Sequence, residues 1–195
     1  MSAQPSPVAP VGFPSSAVVT PANAVTVARI LATPLLVWAV VRLGASWTAA
    51  AGWLVLAGSD SVDGWLARRQ GTTTSGAFLD PLADKILVLG ALCALSHKGS
   101  VSWSPVIVLG AREVVISVFR VVLSRRGVSV PARLLGKLKT LTECVAVGLL
   151  LLPATGRHHG ALGRDLLWVA VVLALASAAQ YLVDSRHGQP VRPAR

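Results

Sequence analysis

Four aspartates, Asp60, Asp63, Asp80 and Asp84, fall within 25 residues of one another, with Gly64, Ala67, Arg68 and Gly76 between them. The segments that carry them are otherwise apolar enough to cross a membrane. An isolated carboxylate at membrane depth costs about 2.5–3.5 kcal/mol, so four together are expected to face one cavity and share a counter-charge. A divalent cation is the simplest: carboxylate oxygens are the hard ligands that Mg²⁺ or Mn²⁺ prefers, with substrate phosphates and waters completing the shell. Two alternatives are buried salt bridges to Arg68, Arg69, Lys85 and Arg112, or an ion path through a cation transporter. The spacing and the interleaved glycines favour a two-metal site.

The elements that must position these carboxylates are helices. Asp60 and Asp63 are three residues apart, and Gly64 and Arg68 four, which makes one polar stripe on a helix. Gly76, Asp80 and Asp84 repeat at four-residue spacing. Two antiparallel helices joined by a short turn over 69–75 would present all four carboxylates to a common gap, with Gly64 and Gly76 leaving room for an extended ligand. Apolar windows at about 24–42, 47–68, 77–96, 102–123, 134–153 and 165–183 predict an all-α membrane protein of six transmembrane helices, each near the ~20 residues that span a hydrocarbon core.

Composition agrees: 53% apolar residues, 13% charged and a mean hydropathy of +0.65 argue against a soluble globule. The 195 residues suit a cytosolic tail over 1–22, a transmembrane catalytic domain over 23–184 and a basic cytosolic tail over 185–195. The opening residues lack the basic start and apolar run of a secretory signal. The net charge of +10 is scattered between apolar runs rather than gathered on a polar face, which argues against nucleic acid as a partner. With the N-terminus inside, ten Lys and Arg fall in cytosolic segments and four outside. That imbalance predicts a multi-pass protein of the cell membrane with both termini and the acidic cluster cytoplasmic.

The stretch from Asp60 to Arg68, Asp60-Ser61-Val62-Asp63-Gly64-Trp65-Leu66-Ala67-Arg68, followed by Gly76-Ala77-Phe78-Leu79-Asp80-Pro81-Leu82-Ala83-Asp84, resembles the signature of the CDP-alcohol phosphatidyltransferases. That signature is D-x-x-D-G-x-x-A-R, a spacer, then G-x-x-x-D-x-x-x-D, and every fixed position is filled. The spacer is a residue shorter than is usual in the family, a change that a turn can absorb. Asn23, Thr26 and Arg29 are similar to the N-x-x-T-x-x-R opening of the family's first helix. Ala111-Arg112-Glu113 with Arg120, and Gly136-Lys137-Leu138-Lys139-Thr140, resemble the A-R-E and G-K-x-K-T segments of its phosphatidylglycerophosphate synthase branch.

The resemblance implies the six-helix fold of that family and two Mg²⁺ or Mn²⁺ ions per active site, held by Asp60, Asp63, Asp80 and Asp84. It implies CDP-diacylglycerol bound at Asn23, Gly64, Ala67, Arg68, Thr74 and Gly76, with Asp84 as the general base that helps an acceptor alcohol displace CMP. A homodimer in the bilayer is implied as well. Arg112, Arg120, Lys137 and Lys139 suit the phosphate of an acceptor such as sn-glycerol 3-phosphate, although loop cations are also the ordinary topology signal. Alternatives within the family are cardiolipin synthase, with phosphatidylglycerol as acceptor, and phosphatidylinositol-phosphate synthase. Alternatives outside it are an intramembrane prenyltransferase and an aspartate-lined cation transporter.

Among the remaining residues, Glu113 is expected to fix a phosphate-binding arginine, and Glu143 has no assigned role. Cys93 and Cys144 read as packing residues. The four histidines read as solvated loop or tail residues, and Trp47, Trp53, Trp65, Trp103 and Trp168 as an interfacial belt. The last helix offers little beyond hydrophobicity.

Overall fold

The computed structural model describes residues 21–70, 74–125, 134–153 and 157–186. They form six helices: α1 (Pro21–Leu43), α2 (Trp47–Gln70), α3 (Thr74–His97), α4 (Trp103–Arg125), α5 (Leu134–Leu151) and α6 (Arg157–Arg186). Local chemistry ends and restarts them. Gly44 and Gly99 adopt the left-handed conformation after α1 and α3, at φ of 68° and 73°, and the Ser100 amide reaches back to the Leu95 carbonyl at 3.0 Å. Ser46 caps α2, its hydroxyl accepting from the Ala49 amide at 3.2 Å.

Two contacts set the topology. The Ser46 amide donates to the Leu151 carbonyl at 3.0 Å, and a side-chain carbon at Gly44 would lie 3.7 Å from Lys98. The C-terminal ends of α1, α3 and α5 therefore meet at one end of the bundle. The first turns of α1, α3 and α5 stand at the opposite end, together with the C-terminal ends of α2, α4 and α6. α1 packs on α2 and α3, α5 on α6, and α4 on α3 and α6.

Small side chains, among them Ala49, Ala91, Ala146, Ala170 and Ala174, are fully buried between helices, as expected where dispersion rather than water exclusion brings helices together. Burial is inverted relative to a water-soluble domain. Leu31 and Leu35 are 70% and 69% exposed, whereas Asn23, Thr26, Arg29, Glu113, Lys139 and Glu143 are buried. Such a distribution suits a molecule surrounded by hydrocarbon. Segments Asn23–Leu43 and Gly160–Val183 are long and apolar enough to cross a membrane.

Several expectations are corrected. α6 starts at Arg157 rather than near 165, because a hydropathy window registers the apolar run and not the polar helical turns before it. Trp53 is 2% exposed in the core, not in an interfacial belt. Its indole nitrogen lies 3.4 Å from where a side chain at Gly148 would begin, so that glycine makes room for the ring. Trp47 and Trp103 are exposed at helix starts, Trp168 is exposed within α6, and the side chain of Trp65 lies outside the described residues. Cys93 faces outward and Cys144 is half-buried. His97 ends α3, and His158 and His159 begin α6, while His187 lies outside the described residues.

α6 comes close to α5 at Gly163, where an added side-chain carbon would sit 2.8 Å from Leu150 Cγ and 3.3 Å from the Ala146 carbonyl oxygen. Gly163→Val is expected to destabilise the bundle by about 1–3 kcal/mol through overpacking. Gly58→Ala, which meets nothing within 4 Å, should be near neutral. Thermal unfolding in detergent would compare the two.

Candidate active site

α3 carries Asp80 and Asp84 one turn apart, both half-buried. The partners that hold them come from α1, 54 and 55 residues earlier in the chain. Thr26 Oγ1 donates to Asp80 Oδ1 at 2.6 Å, and Arg29 Nη1 donates to Asp84 Oδ1 at 2.9 Å. Arg29 is 1% exposed, and its Nε also donates to the Ser59 hydroxyl on α2 at 3.0 Å. One guanidinium thus joins three helices at the base of the site, and its fork geometry allows it to reach two partners at once.

The salt-bridge alternative for Asp84, with Arg68, Arg69, Lys85 or Arg112 as partner, had no place for Arg29. Sequence reasoning assigned Arg29 and Thr26 no role. The signal that could have found them is the N-x-x-T-x-x-R pattern, which puts Asn23, Thr26 and Arg29 on one face of α1, and all three are buried. Asp60, Asp63, Gly64, Ala67 and Arg68 lie in the C-terminal half of α2, while Thr74 and Gly76 open α3. Their side chains lie outside the described residues. α2 is unbroken to Gln70, so the spacing that puts residues 60, 63, 64, 67 and 68 on one stripe is realised in the backbone.

Beside Asp84 opens a cavity of about 640 Å³, walled by α3, α4, α5 and α6 with Ala57 of α2. Lys85, Arg112, Arg120, Lys137 and Lys139 line it, with Glu113 and Glu143. Glu113 is the hub. Its Oε1 accepts from Arg112 Nη1 at 2.7 Å and from Lys139 Nζ at 2.6 Å, and its Oε2 lies 3.6 Å from Lys85 Nζ. Lys139 is bridged in turn to Glu143 Oε2 at 2.8 Å. The arginine that Glu113 was expected to fix is Arg112, a lysine of another helix, Lys139, joins it, and Glu143 gains a partner.

The other donors of Arg112 reach α6, through Nε to the Ala174 carbonyl at 3.2 Å and Nη2 to the Ser177 hydroxyl at 2.6 Å. Lys85 also donates to Ser117. Arg120 lies over the Tyr181 ring at 5.8 Å, and Phe119 meets that ring edge-on at 6.1 Å. The four cations predicted for an acceptor phosphate therefore share one cavity but differ in kind. Arg112 and Lys139 are committed to carboxylates, while Arg120 and Lys137 have no ion pair among the described residues. Five cations against three carboxylates, Asp84, Glu113 and Glu143, leave the wall net positive. Sequence reasoning missed the contribution of α6, where Ser177, Gln180 and Tyr181 line the cavity.

A family model for CDP-alcohol phosphatidyltransferase matches residues 19–176, which span both aspartate pairs, the α1 partners and most of the cavity wall. The chain belongs to the CDP-alcohol phosphatidyltransferase family. It is 38% identical over 163 residues to the "Probable phosphatidylglycerophosphate synthase" of Mycobacterium tuberculosis (strain ATCC 25618 / H37Rv), covering 80% of this chain and 73% of that protein. It is 35% identical over 176 residues to the CDP-diacylglycerol--glycerol-3-phosphate 3-phosphatidyltransferase of Bacillus subtilis (strain 168), covering 82% and 91%. A protein of the same name from Rickettsia felis is 32% identical over 171 residues, with the same two shares. As a CDP-alcohol phosphatidyltransferase the chain is an enzyme, a membrane transferase of phospholipid biosynthesis.

Removing one member of a buried ion cluster strands its partners. Glu113→Ala is expected to cost about 3–5 kcal/mol of stability. Glu113→Leu combined with Lys139→Met should lose less than the two single changes added together, because the contact between these two residues is then lost only once. Unfolding midpoints of the four proteins would measure that coupling.

Proposed function

We propose that this chain transfers the phosphatidyl group of CDP-diacylglycerol to sn-glycerol 3-phosphate, forming phosphatidylglycerophosphate and CMP. The observation that carries the reading is the cavity itself, in which the Asp84 carboxylate opens onto a space lined by five cations. A base beside a concentration of positive charge is what an acceptor with both a hydroxyl and a phosphate requires. The names of the relatives in Bacillus subtilis and Rickettsia felis support the same donor and acceptor. The cations also weigh against a cation path through the bundle, because they would repel the permeant ion.

The donor set suits divalent metal. Asp80 and Asp84 offer hard carboxylate oxygens one turn apart, and Thr26 engages one oxygen of Asp80 while the other accepts nothing from the described residues. Asp60, Asp63, Asp80 and Asp84 are proposed to hold two Mg²⁺ or Mn²⁺ ions. When bound, such ions neutralise charge on the donor diphosphate. Asn23, Gly64, Ala67, Arg68, Thr74 and Gly76 are the proposed contacts to the CDP-lipid.

In this reading Arg29 orients Asp84. Asp84 takes the proton of the acceptor hydroxyl as that oxygen bonds to the β-phosphorus. The bond from that phosphorus to the bridging oxygen breaks, CMP leaves with the electron pair, and Asp84 returns the proton to water. Arg120 and Lys137 bind the acceptor phosphate, and Arg112 and Lys139 present a fixed positive wall behind it. The full reading is of six membrane spans with tails over 1–22 and 185–195, both termini and the cavity on the cytoplasmic side, and two chains in a homodimer. The outward apolar faces of α1, α2, α4 and α6 support the spans.

Purified protein given CDP-diacylglycerol, radiolabelled glycerol 3-phosphate and Mg²⁺ or Mn²⁺ is expected to release CMP and label a phospholipid; release of no CMP with any polyol phosphate would refute the transfer. Asp84→Asn should abolish turnover and leave CDP-diacylglycerol binding intact. Arg120→Ala and Lys137→Ala break no ion pair among the described residues. Each is expected to raise KM for the acceptor about tenfold, the loss of one charged hydrogen bond, with KM for the lipid unchanged.

A further inference from the structure

A polyol phosphate has one feature that the proposed site does not yet account for. Cations suit its phosphate and Asp84 suits the hydroxyl that attacks, but the central hydroxyl of glycerol 3-phosphate has no partner assigned. A hydroxyl donates and accepts at once, and a primary amide is a neutral group that can answer both.

The cavity holds one, Gln180 on α6. Most of the other polar groups of the wall are occupied. Lys85 is held by Ser117 and Glu113, Lys139 by Glu113 and Glu143, and Ser177 by Arg112 and the Ala174 carbonyl. Gln180 is half-buried, and its amide makes no hydrogen bond among the described residues. A half-buried amide that lines a cavity and bonds no neighbouring side chain is free to bond a ligand held there.

Its position is held from both sides. Ser177, one turn earlier on the same face, is gripped by Arg112 at 2.6 Å. Tyr181, the next residue, is in contact with both Phe119 and Arg120. Gln180 also lies beyond residue 176, where the match to the family as a whole ends.

We propose that Gln180 is a specificity-determining residue that hydrogen-bonds the central hydroxyl of the acceptor. The proposal rests on the acceptor reading above. Its test pairs a change in the enzyme with the matching change in the substrate. Acceptors are sn-glycerol 3-phosphate and 3-hydroxypropyl phosphate, which lacks the central hydroxyl; enzymes are the full-length wild type and Gln180→Met.

Wild type should prefer glycerol 3-phosphate by about tenfold in kcat/KM, the loss expected when one neutral hydrogen bond is not made. Gln180→Met should lose about that factor on glycerol 3-phosphate, change little on 3-hydroxypropyl phosphate, and keep its KM for CDP-diacylglycerol. Equal loss on both acceptors, or no loss on either, overturns the role of Gln180. Should the variant not accumulate, the wild-type comparison decides alone: equal use of the two acceptors overturns the proposal. Wild type that uses neither acceptor, yet releases CMP with phosphatidylglycerol, overturns the acceptor reading and the role of Gln180 with it.

Discussion

Charge buried inside a helical bundle has to be matched within the protein, and the contact between Arg29 and Asp84 at 2.9 Å is where that constraint governs the site. The Arg29 side chain is fully enclosed. Leaving it unpaired would carry the desolvation cost of a buried ion with nothing to offset it. The pair therefore specifies how α1 lies against α3, and the bond to Ser59 extends that specification to α2. The hydrogen bond from Thr26 to Asp80, one turn along, repeats the registration. The acidic end of the molecule is held by α1, which contributes no aspartate of its own.

The same constraint organises the cavity on the other side of Asp84. Three cations converge on Glu113, and a second carboxylate, Glu143, shares Lys139. Each residue taken singly would be costly to bury. As a network they cross-link α3, α4 and α5, and Arg112 carries the link to α6. The wall keeps a positive surplus because three carboxylates, Asp84 among them, face five cations. A stable scaffold and an anion-attracting surface thus come from one set of side chains, with Glu113 and Glu143 setting how much positive charge remains for a ligand.

The two halves of the site differ in how legible they were. The aspartate stripe was visible because helical periodicity converts sequence spacing directly into position on a face, and both pairs sit on single unbroken helices. Six helices were visible because apolar length is a one-dimensional property. Their ends were not, as at α6, where polar turns precede the apolar run. Trp53 shows the limit of composition: a tryptophan reads as interfacial by its chemistry, yet the space beside Gly148 on another helix draws it into the core.

The sequence by itself determined the helices, their apolar faces and the types and spacing of the four carboxylates, since each depends only on neighbours a few residues apart. Only the tertiary structure decided which cation meets which carboxylate. Arg29 rather than Lys85 took Asp84, and Lys139 was drawn between two glutamates while Lys137, two residues away, stayed exposed. It alone brought α6 to the cavity, where Ser177, Gln180 and Tyr181 belong to no recognisable pattern. The reason is physical: pairing between helices depends on their rotation and relative height. Those are set by the packing of small residues and by the need to satisfy every buried charge at once.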